Sequence, residues 1–311
     1  MDFVSTELEC QVACGFQINS KNEQCFFQKD LNLYKWKKTN IPDMKWFVNL
    51  NNFYQYLPKP LDDEWLNYNK ENGQTFKNYI RLVKKSKNLQ NPLIKSKIFL
   101  MPLKIDENIF SKFILNGLAE FVQIYFDIDV IVEDDKNLNS KFDKSDLIDG
   151  IKALSILKTF KKKNSFSTVA ITTCDLVHQD SFVFGLSDQE LQVCIVSLYR
   201  YVQHLIDNRN FTEKELLKKV SSVICHEIGH TFGLEHCIYY RCIMNGSNTL
   251  EEDDKLPIYL CPVCLRKLHF LLNFDIEKRY LNLMEYCEKY EFKGEYNWYQ
   301  NRLDNSKILN K

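Results

Sequence analysis

Apolar and polar positions follow two different rhythms along this chain, and the rhythm changes near residue 97. Residues 1–95 are rich in Asn, Lys and aromatics, with weak periodicity and a turn-like Pro58-Lys59-Pro60. Beyond Lys97 the pattern sharpens. Residues 98–103 read as a short buried strand that Pro102 ends or places on a sheet edge. From Asp106, a candidate cap, the positions Phe110, Phe113, Ile114, Phe121, Val122 and Tyr125 follow helical spacing. Residues 128–132 form a second strand candidate, and Leu147, Ile148, Ile151, Leu154 and Leu157 mark another amphipathic helix. Residues 168–173 and 192–198 read as further strands, and 182–184, just before Gly185, as an exposed edge strand. Strands alternating with helices predict an α+β architecture, a mixed twisted sheet covered by helices.

The longest predicted helix has a sharp start. Thr212 and Glu215 form a T-x-x-E capping box, and Glu213 adds negative charge to the first turn. Leu216, Val220, Val223 and Ile224 supply its docking face, and the pattern carries it about twenty residues to Gly233. Its last turns open HEIGHTFGLEH, residues 226–236, an HExxHxxGxxH pattern. Spacing by four puts His226 and His230 on one helical face with converging imidazoles, and Glu227 sits beside them. Gly233 lets the chain leave the helix through a conformation that a Cβ resists, returning His236 as a third ligand. Three neutral imidazoles leave one position of a tetrahedral zinc open, the arrangement of a catalytic site. Bare HExxH is a weak signal. The extended form, with three of the six histidines inside one short window, is a strong one.

Cysteine spacing predicts a second metal site beside the first. Cys237 directly follows His236, four residues separate it from Cys242, and Cys261-Pro-Val-Cys264 completes a C-x4-C … C-x2-C set. Four thiolates around one zinc leave no open position, which is the structural type. That zinc would also pin the neighbouring His236. The competing readings are four packed thiols, or a redox CxxC that here lacks a preceding βαβ context. Cys10, Cys14, Cys25, Cys174, Cys194, Cys225 and Cys287 have no metal-ligand spacing and read as packed thiols. His178, His204 and His269 default to surface or satisfied core positions.

Composition narrows the classes. The 311 residues are 45% hydrophobic, enough for one large domain or two small ones, which argues against wholesale disorder. Net charge is +0, and the densest basic run, Lys161 to Lys163, reads as a solvated helix end. Neither nucleic acid nor an anionic membrane is therefore an expected partner. Residues 113–132 come nearest to a membrane span, and Asn116, Glu120, Gln123, Asp127 and Asp129 interrupt them. No signal-peptide pattern opens the chain, and an odd count of 11 cysteines points to thiols and metal ligands rather than disulfides. Cytoplasm or nucleus is the expected compartment, and a monomer the default assembly.

Together, HEIGHTFG, CIYYRCIM and CPVC resemble the motif set of the archaemetzincins (archaelysins), metzincin-like zinc metallopeptidases. The family pattern joins HExxHxxG to C-x4-C-x-M and a distal CxxC; the spacer after Met244 is one residue shorter here. The stretch MNGSNTLEEDDKLPIYLCPVCLRKL, with GQTF at 73–76 and FVFG at 182–185, is similar to the eukaryotic branch. The resemblance is strong over residues 97–290, faint over 60–96 and absent before that. It implies a metzincin-like fold with a long active-site helix and a C-terminal subdomain with a four-cysteine zinc site. The implied division is an N-terminal extension over 1–95, a catalytic domain over 96–295 and a tail over 296–311.

By the same resemblance, two zinc ions are expected per chain. His226, His230 and His236 would hold the catalytic ion, and Cys237, Cys242, Cys261 and Cys264 the structural one. Met244 would be the Met-turn residue beneath the first zinc, and Glu227 the catalytic base. The implied activity is hydrolysis of a peptide or protein substrate by a zinc-bound water that Glu227 activates, with aminopeptidase action among the expectations. Tyr239 and Tyr240 are candidate oxyanion helpers, with packing as their commoner role. Two rival classes are a zinc-stabilised binding protein with little or no turnover, and a nucleic-acid-binding zinc protein. The second is suggested only by CPVC with Arg266, Lys267 and His269, and zero net charge weakens it.

Overall fold

The computed structural model describes residues 7–14, 16–18, 24–26, 43–47, 53–90, 97–143, 145–179, 181–207 and 212–308. The chain divides into two compact units. One comprises Met1–Gln90, Gly233–Leu281 and Asn297–Lys311; the other comprises Asn91–Phe232 and Asn282–Tyr296. The first ninety residues thus share a unit with the segment that carries the four clustered cysteines. The expected border at 95/96 lies outside the described residues.

In chain order the strands are β1 (Phe16–Ile18), β2 (Gln24–Phe26), β3 (Lys97–Leu103), β4 (Asp129–Val132), β5 (Leu147–Asp149), β6 (Ser165–Thr172), β7 (Asp175–His178), β8 (Ser181–Phe182), β9 (Gly185–Asp188) and β10 (Val193–Ser197). The large sheet of the second unit runs β4-β3-β6-β10-β9 and is parallel except for β9, an antiparallel edge. A smaller sheet runs β5-β7-β8. Every residue of β6 and β10 is buried. The apolar runs at 169–171 and 193–196 within them show no alternation because central strands covered on both faces have no solvent side.

Four expectations shift. Strand β3 is interior, between β4 and β6, rather than an edge. Pro102 is tolerated there because its missing N–H lies on the β4 side, beyond the end of β4. The Leu100 carbonyl, two residues earlier and on the same side, accepts from Glu133 N at 2.9 Å, and Leu100 is the last residue of β3 paired with β4. The helix Lys112–Phe126 is capped by Ser111, whose Oγ accepts from Ile114 N at 3.4 Å; Asp106 starts a separate turn.

Residues 147–157 split into β5 and the helix Gly150–Phe160, because Asp149 caps that helix by accepting from Lys152 N at 2.9 Å. Leu147 and Ile151 are exposed, while Ile148, Leu154 and Leu157 join Met101, Leu103, Ala170 and Ile195 in one core. Finally, 182–184 is divided: Phe182 is exposed in β8, the edge strand of the small sheet, and the next two residues lead to the large one. Val183 N still bonds Leu176 O of the small sheet, Phe184 O accepts from Ser197 of the large one, and the large sheet's edge strand begins at Gly185.

The helix Glu213–Thr231 starts as expected: Thr212 Oγ1 accepts from Glu215 N at 3.1 Å. Leu216, Val220 and Ile224 are fully buried along it. Lys218 pairs with Glu295 at 2.8 Å.

The first unit packs around aromatic rings. Tyr259 and Trp298 stack at 3.7 Å, and buried Arg302 lies over Trp46 and Tyr54 while donating to the Lys45 and Trp46 carbonyls. No helix among the described residues is long and apolar enough to cross a membrane.

Candidate metal centre

The last turn of the helix Glu213–Thr231 is locked to the sheet. Thr231 Oγ1 bonds the Ile228 carbonyl at 2.7 Å and the Ser167 hydroxyl at 3.1 Å, and Phe232 stacks on Phe166 at 4.3 Å. His226 and His230 project one turn apart, with their Nε2 atoms 3.0 Å from each other and their rings nearly perpendicular. Gly233 takes φ +82°, which ends the helix where a Cβ-bearing residue would be strained. Within the single stretch 226–236, His226, His230 and His236 each offer a nitrogen within 4.8 Å of the others, and all three are half-buried.

Glu227 is 7% exposed. Its carboxylate lies flat against the backbone of β9: a Cβ on Gly185 would stand 2.6 Å from Glu227 Cγ and Oε1. The FVFG segment thus ends in a glycine because a carboxylate fills the space its side chain would take. Neighbouring Cys194 is fully buried. Burial first, and the Glu227 charge second, push its thiol well above the usual range, so it stays protonated.

Cys237, Cys242, Cys261 and Cys264 also offer ligand atoms within 4.8 Å of one another, and all four are buried. The Cys237 and Cys261 sulfurs are 3.6 Å apart. Cys261 caps the helix Pro262–Leu272, its sulfur accepting from Cys264 N at 3.5 Å, with Pro262 at the first helical position. The CPVC spacing therefore puts both sulfurs at the positive end of a helix, where thiolate charge is favoured. Cys261 N donates to the Cys242 sulfur at 3.2 Å. Burial alone would raise every thiol here. At Cys237 the hydrogen bonds from Cys242, Cys261 and Cys264 outweigh it, holding that thiol well below the usual range. Cys242 and Cys261 are raised, first by burial.

Comparison with known proteins bears on both clusters. The family model described as peptidase family M54 matches residues 119–270, which contain all three histidines, Glu227 and all four cysteines. Archaemetzincin-2 of Macaca fascicularis is 38% identical over 167 residues, covering 44% of this chain and 46% of that protein. The archaemetzincin of Thermococcus kodakarensis is 36% identical over 118 residues, covering 37% of this chain and 61% of that protein. Over these residues the chain is similar to the archaemetzincins. It spans about half the length of the mammalian archaemetzincin-2 proteins it matches. Among solved structures, the archaemetzincin of Methanopyrus kandleri aligns with a TM-score of 0.46 at 25% identity, over 58% of this chain and 97% of that one.

The family-model match begins at residue 119, and several residues before it touch the turn after Gly233. Gln74 Nε2 donates to the Gly233 carbonyl at 3.0 Å. Thr75 caps the helix Phe76–Lys85, and Phe76 packs on Phe270 and under the Arg266 guanidinium. The faint GQTF likeness thus has a physical reason: those residues brace the turn that carries His236.

Glu71 accepts from Trp65 Nε1 and from His236 Nδ1, each at 2.7 Å, contacts that no spacing in the sequence announces. Asn245 was equally invisible. Its amide donates to the Cys237 and Tyr240 carbonyls at 2.6 and 2.9 Å and accepts from Cys242 N at 2.8 Å. An Asn-Gly pair right after Met244 was the one available signal.

Met244 is fully buried, and its carbonyl accepts from Cys237 N at 2.7 Å. Tyr239 and Tyr240 are buried: Tyr240 stacks on Tyr56, and both phenols are raised first by burial. Packing is the role their surroundings describe. Cys10, Cys14, Cys174, Cys194, Cys225 and Cys287 are buried and form no disulfide, the side chain of Cys25 lies outside the described residues, and His269 is a buried core histidine whose pKa burial lowers to about 4.

Proposed function

We propose that this chain is a zinc-dependent metallopeptidase that holds two zinc ions, one between His226, His230 and His236 and one between the four clustered cysteines. The observation that carries this reading is the convergence of three half-buried imidazoles beside the buried carboxylate of Glu227. The donor sets fit the metal. Nitrogens 3.0 Å apart lie near the roughly 3.3 Å edge of a tetrahedron with Zn–N bonds of about 2.0–2.1 Å. Four buried sulfurs, two of them receiving backbone N–H bonds, suit a closed site.

When bound between the histidines, zinc supplies Lewis acidity that polarises a scissile carbonyl and acidifies water. This chain's own residues do the rest. Glu227 takes the proton of the attacking water on its carboxylate and returns it to the leaving amine, a role typically worth about 10²–10⁴ in rate. Gly185 holds that carboxylate in place by leaving room for it. Strand β9 pairs with β10 on one side, and its other edge offers main-chain donors and acceptors to an extended peptide. This assigns substrate docking to Gly185–Asp188 rather than to 182–184. Met244 is assigned the Met-turn role. A reducing compartment, cytoplasm or nucleus, suits a chain whose described cysteines form no disulfide.

The test is a mass-spectrometric digest of a mixed peptide library, with zinc-loaded wild type beside Glu227→Gln. Cleavage by wild type alone is expected. The same digest separates trimming from the N-terminus, the narrower aminopeptidase reading, from internal cuts. No cleavage by wild type carrying two zinc ions would overturn the peptidase reading in favour of a binding role.

A further inference from the structure

His226 and His230 are oriented by a regular helix whose end is tied to the sheet, but His236 is not. It sits in irregular chain after Gly233, where no backbone ladder sets its ring. A carboxylate far away in sequence stands against that ring. Glu71 Oε1 stands 2.7 Å from His236 Nδ1. An ionised carboxylate only accepts, so the imidazole donates from Nδ1 and keeps its lone pair on Nε2.

The same oxygen also accepts from Trp65 Nε1 at 2.7 Å. The indole stands edge-on to the His236 ring at 5.1 Å and 82°. Trp65 is anchored in turn. Its backbone N–H donates to the Glu252 carboxylate at 2.9 and 3.0 Å, and Asn248 N donates to that same carboxylate at 2.8 Å. Glu252 is buried. The chain Glu252–Trp65–Glu71–His236 thus runs from a fixed carboxylate to a ring nitrogen without a slack step.

We propose that Glu71 is the positioning residue of the histidine site: with Trp65 it fixes the tautomer and ring direction of His236, so that Nε2 is the atom presented to the metal. The proposal rests on the reading that the three histidines hold zinc. It assigns a role to residues 65–71, which lie outside the matched family region. A plain surface ion pair accounts for the contact poorly. The His236 and Glu71 side chains are only 20% and 23% exposed, and the indole donor fixes the carboxylate from a second direction.

The experiment titrates zinc-loaded full-length chain against a chromophoric chelator, for wild type, Glu71→Ala, Glu71→Gln, Trp65→Phe and His236→Ala. Melting temperature and the cobalt-substituted visible spectrum are recorded alongside. Glu71→Ala is expected to weaken zinc at the histidine site roughly 10–100-fold while the thiolate-held zinc stays bound. Glu71→Gln, whose amide oxygen still accepts from Nδ1–H, recovers part of that affinity. Trp65→Phe keeps the ring, loses the donor and shows a smaller drop at unchanged melting. Affinity within twofold of wild type for Glu71→Ala would overturn the proposal, as would losses in Glu71→Ala and Trp65→Phe that merely track a lower melting temperature. If wild type holds only the thiolate zinc and His236→Ala changes nothing, the reading of the histidine site fails, and the role of Glu71 fails with it.

Discussion

His226, His230 and His236 are half-buried, whereas Cys237, Cys242, Cys261 and Cys264 are sealed from solvent, although His236 and Cys237 are consecutive residues. One peptide bond therefore separates two sites of opposite character. On the proposed reading the histidine set would supply three nitrogens and leave a coordination position open, and it lies beside a buried carboxylate. The cysteine set supplies four sulfurs, some with backbone N–H donors, and leaves nothing for a substrate to reach. On the proposed reading, solvent access and ligand number, rather than the metal itself, would decide which site does chemistry. Adjacency adds a consequence: a closed site that fixes Cys237 also fixes the chain next to His236.

The comparison can be broken from either end. The largest effect is expected from Cys261→Ser. Structural zinc contributes on the order of 10 kcal/mol to the fold that binds it, so this variant should lose one zinc and melt far below wild type. Metal content and melting that match wild type would remove the structural site from the account. Next comes Glu227→Gln, which should keep both zinc ions and the melting temperature while turnover falls by about 10²–10⁴. Wild-type turnover would end its role as the base.

Gly185→Ala sharpens the open site. Its new Cβ, 2.6 Å from Glu227 Oε1, must push the carboxylate aside, and turnover should drop about 10²-fold with zinc unchanged. A steady-state assay beside a zinc count reads this directly; unchanged kcat would mean the glycine serves only packing.

Asn245→Ala sharpens the closed site. It strips buried partners from Cys237, Tyr240 and Cys242 and should cost about 2 kcal/mol by denaturant unfolding of the zinc-bound protein.

The smallest effect lies outside both clusters. His269 is held at about 4 by burial, below its ordinary 6.5, so the fold resists its protonation. A depressed histidine favours the native state above the unfolded pKa, and that contribution is lost as pH falls through 6.5 toward 4. At pH 5.5 the loss is about 1 kcal/mol, and His269→Phe should unfold with a correspondingly shallower acid slope. An identical slope would show that the buried ring does not titrate this way.

Much of this was legible in the residues. The capping box at Thr212, the apolar face of the long helix and the turn at Gly233 all depend on neighbours within a few positions, and sequence spacing reads such contacts well. The histidine and cysteine clusters were visible for the same reason. What escaped notice depends on chain segments meeting from afar. Pro102 looked like an edge signal because its tolerance comes from where β4 stops, not from β3 itself. Residues 147–157 looked like one helix because their apolar spacing hid the Asp149 cap, which divides strand from helix. Glu71, Gln74 and Asn245 are ordinary polar residues until folding sets them against a histidine, a turn carbonyl and a cysteine loop.

The most direct test of the central contrast is zinc K-edge X-ray absorption with a metal count, on wild type and on the double variant His226→Ala/His230→Ala. The account predicts two zinc ions per wild-type chain, ligated by a mixture of nitrogen and sulfur. In the variant one zinc remains, surrounded by four sulfurs at about 2.3 Å. A single zinc in wild type, or a variant that keeps two ions or shows nitrogen around the one left, would contradict it.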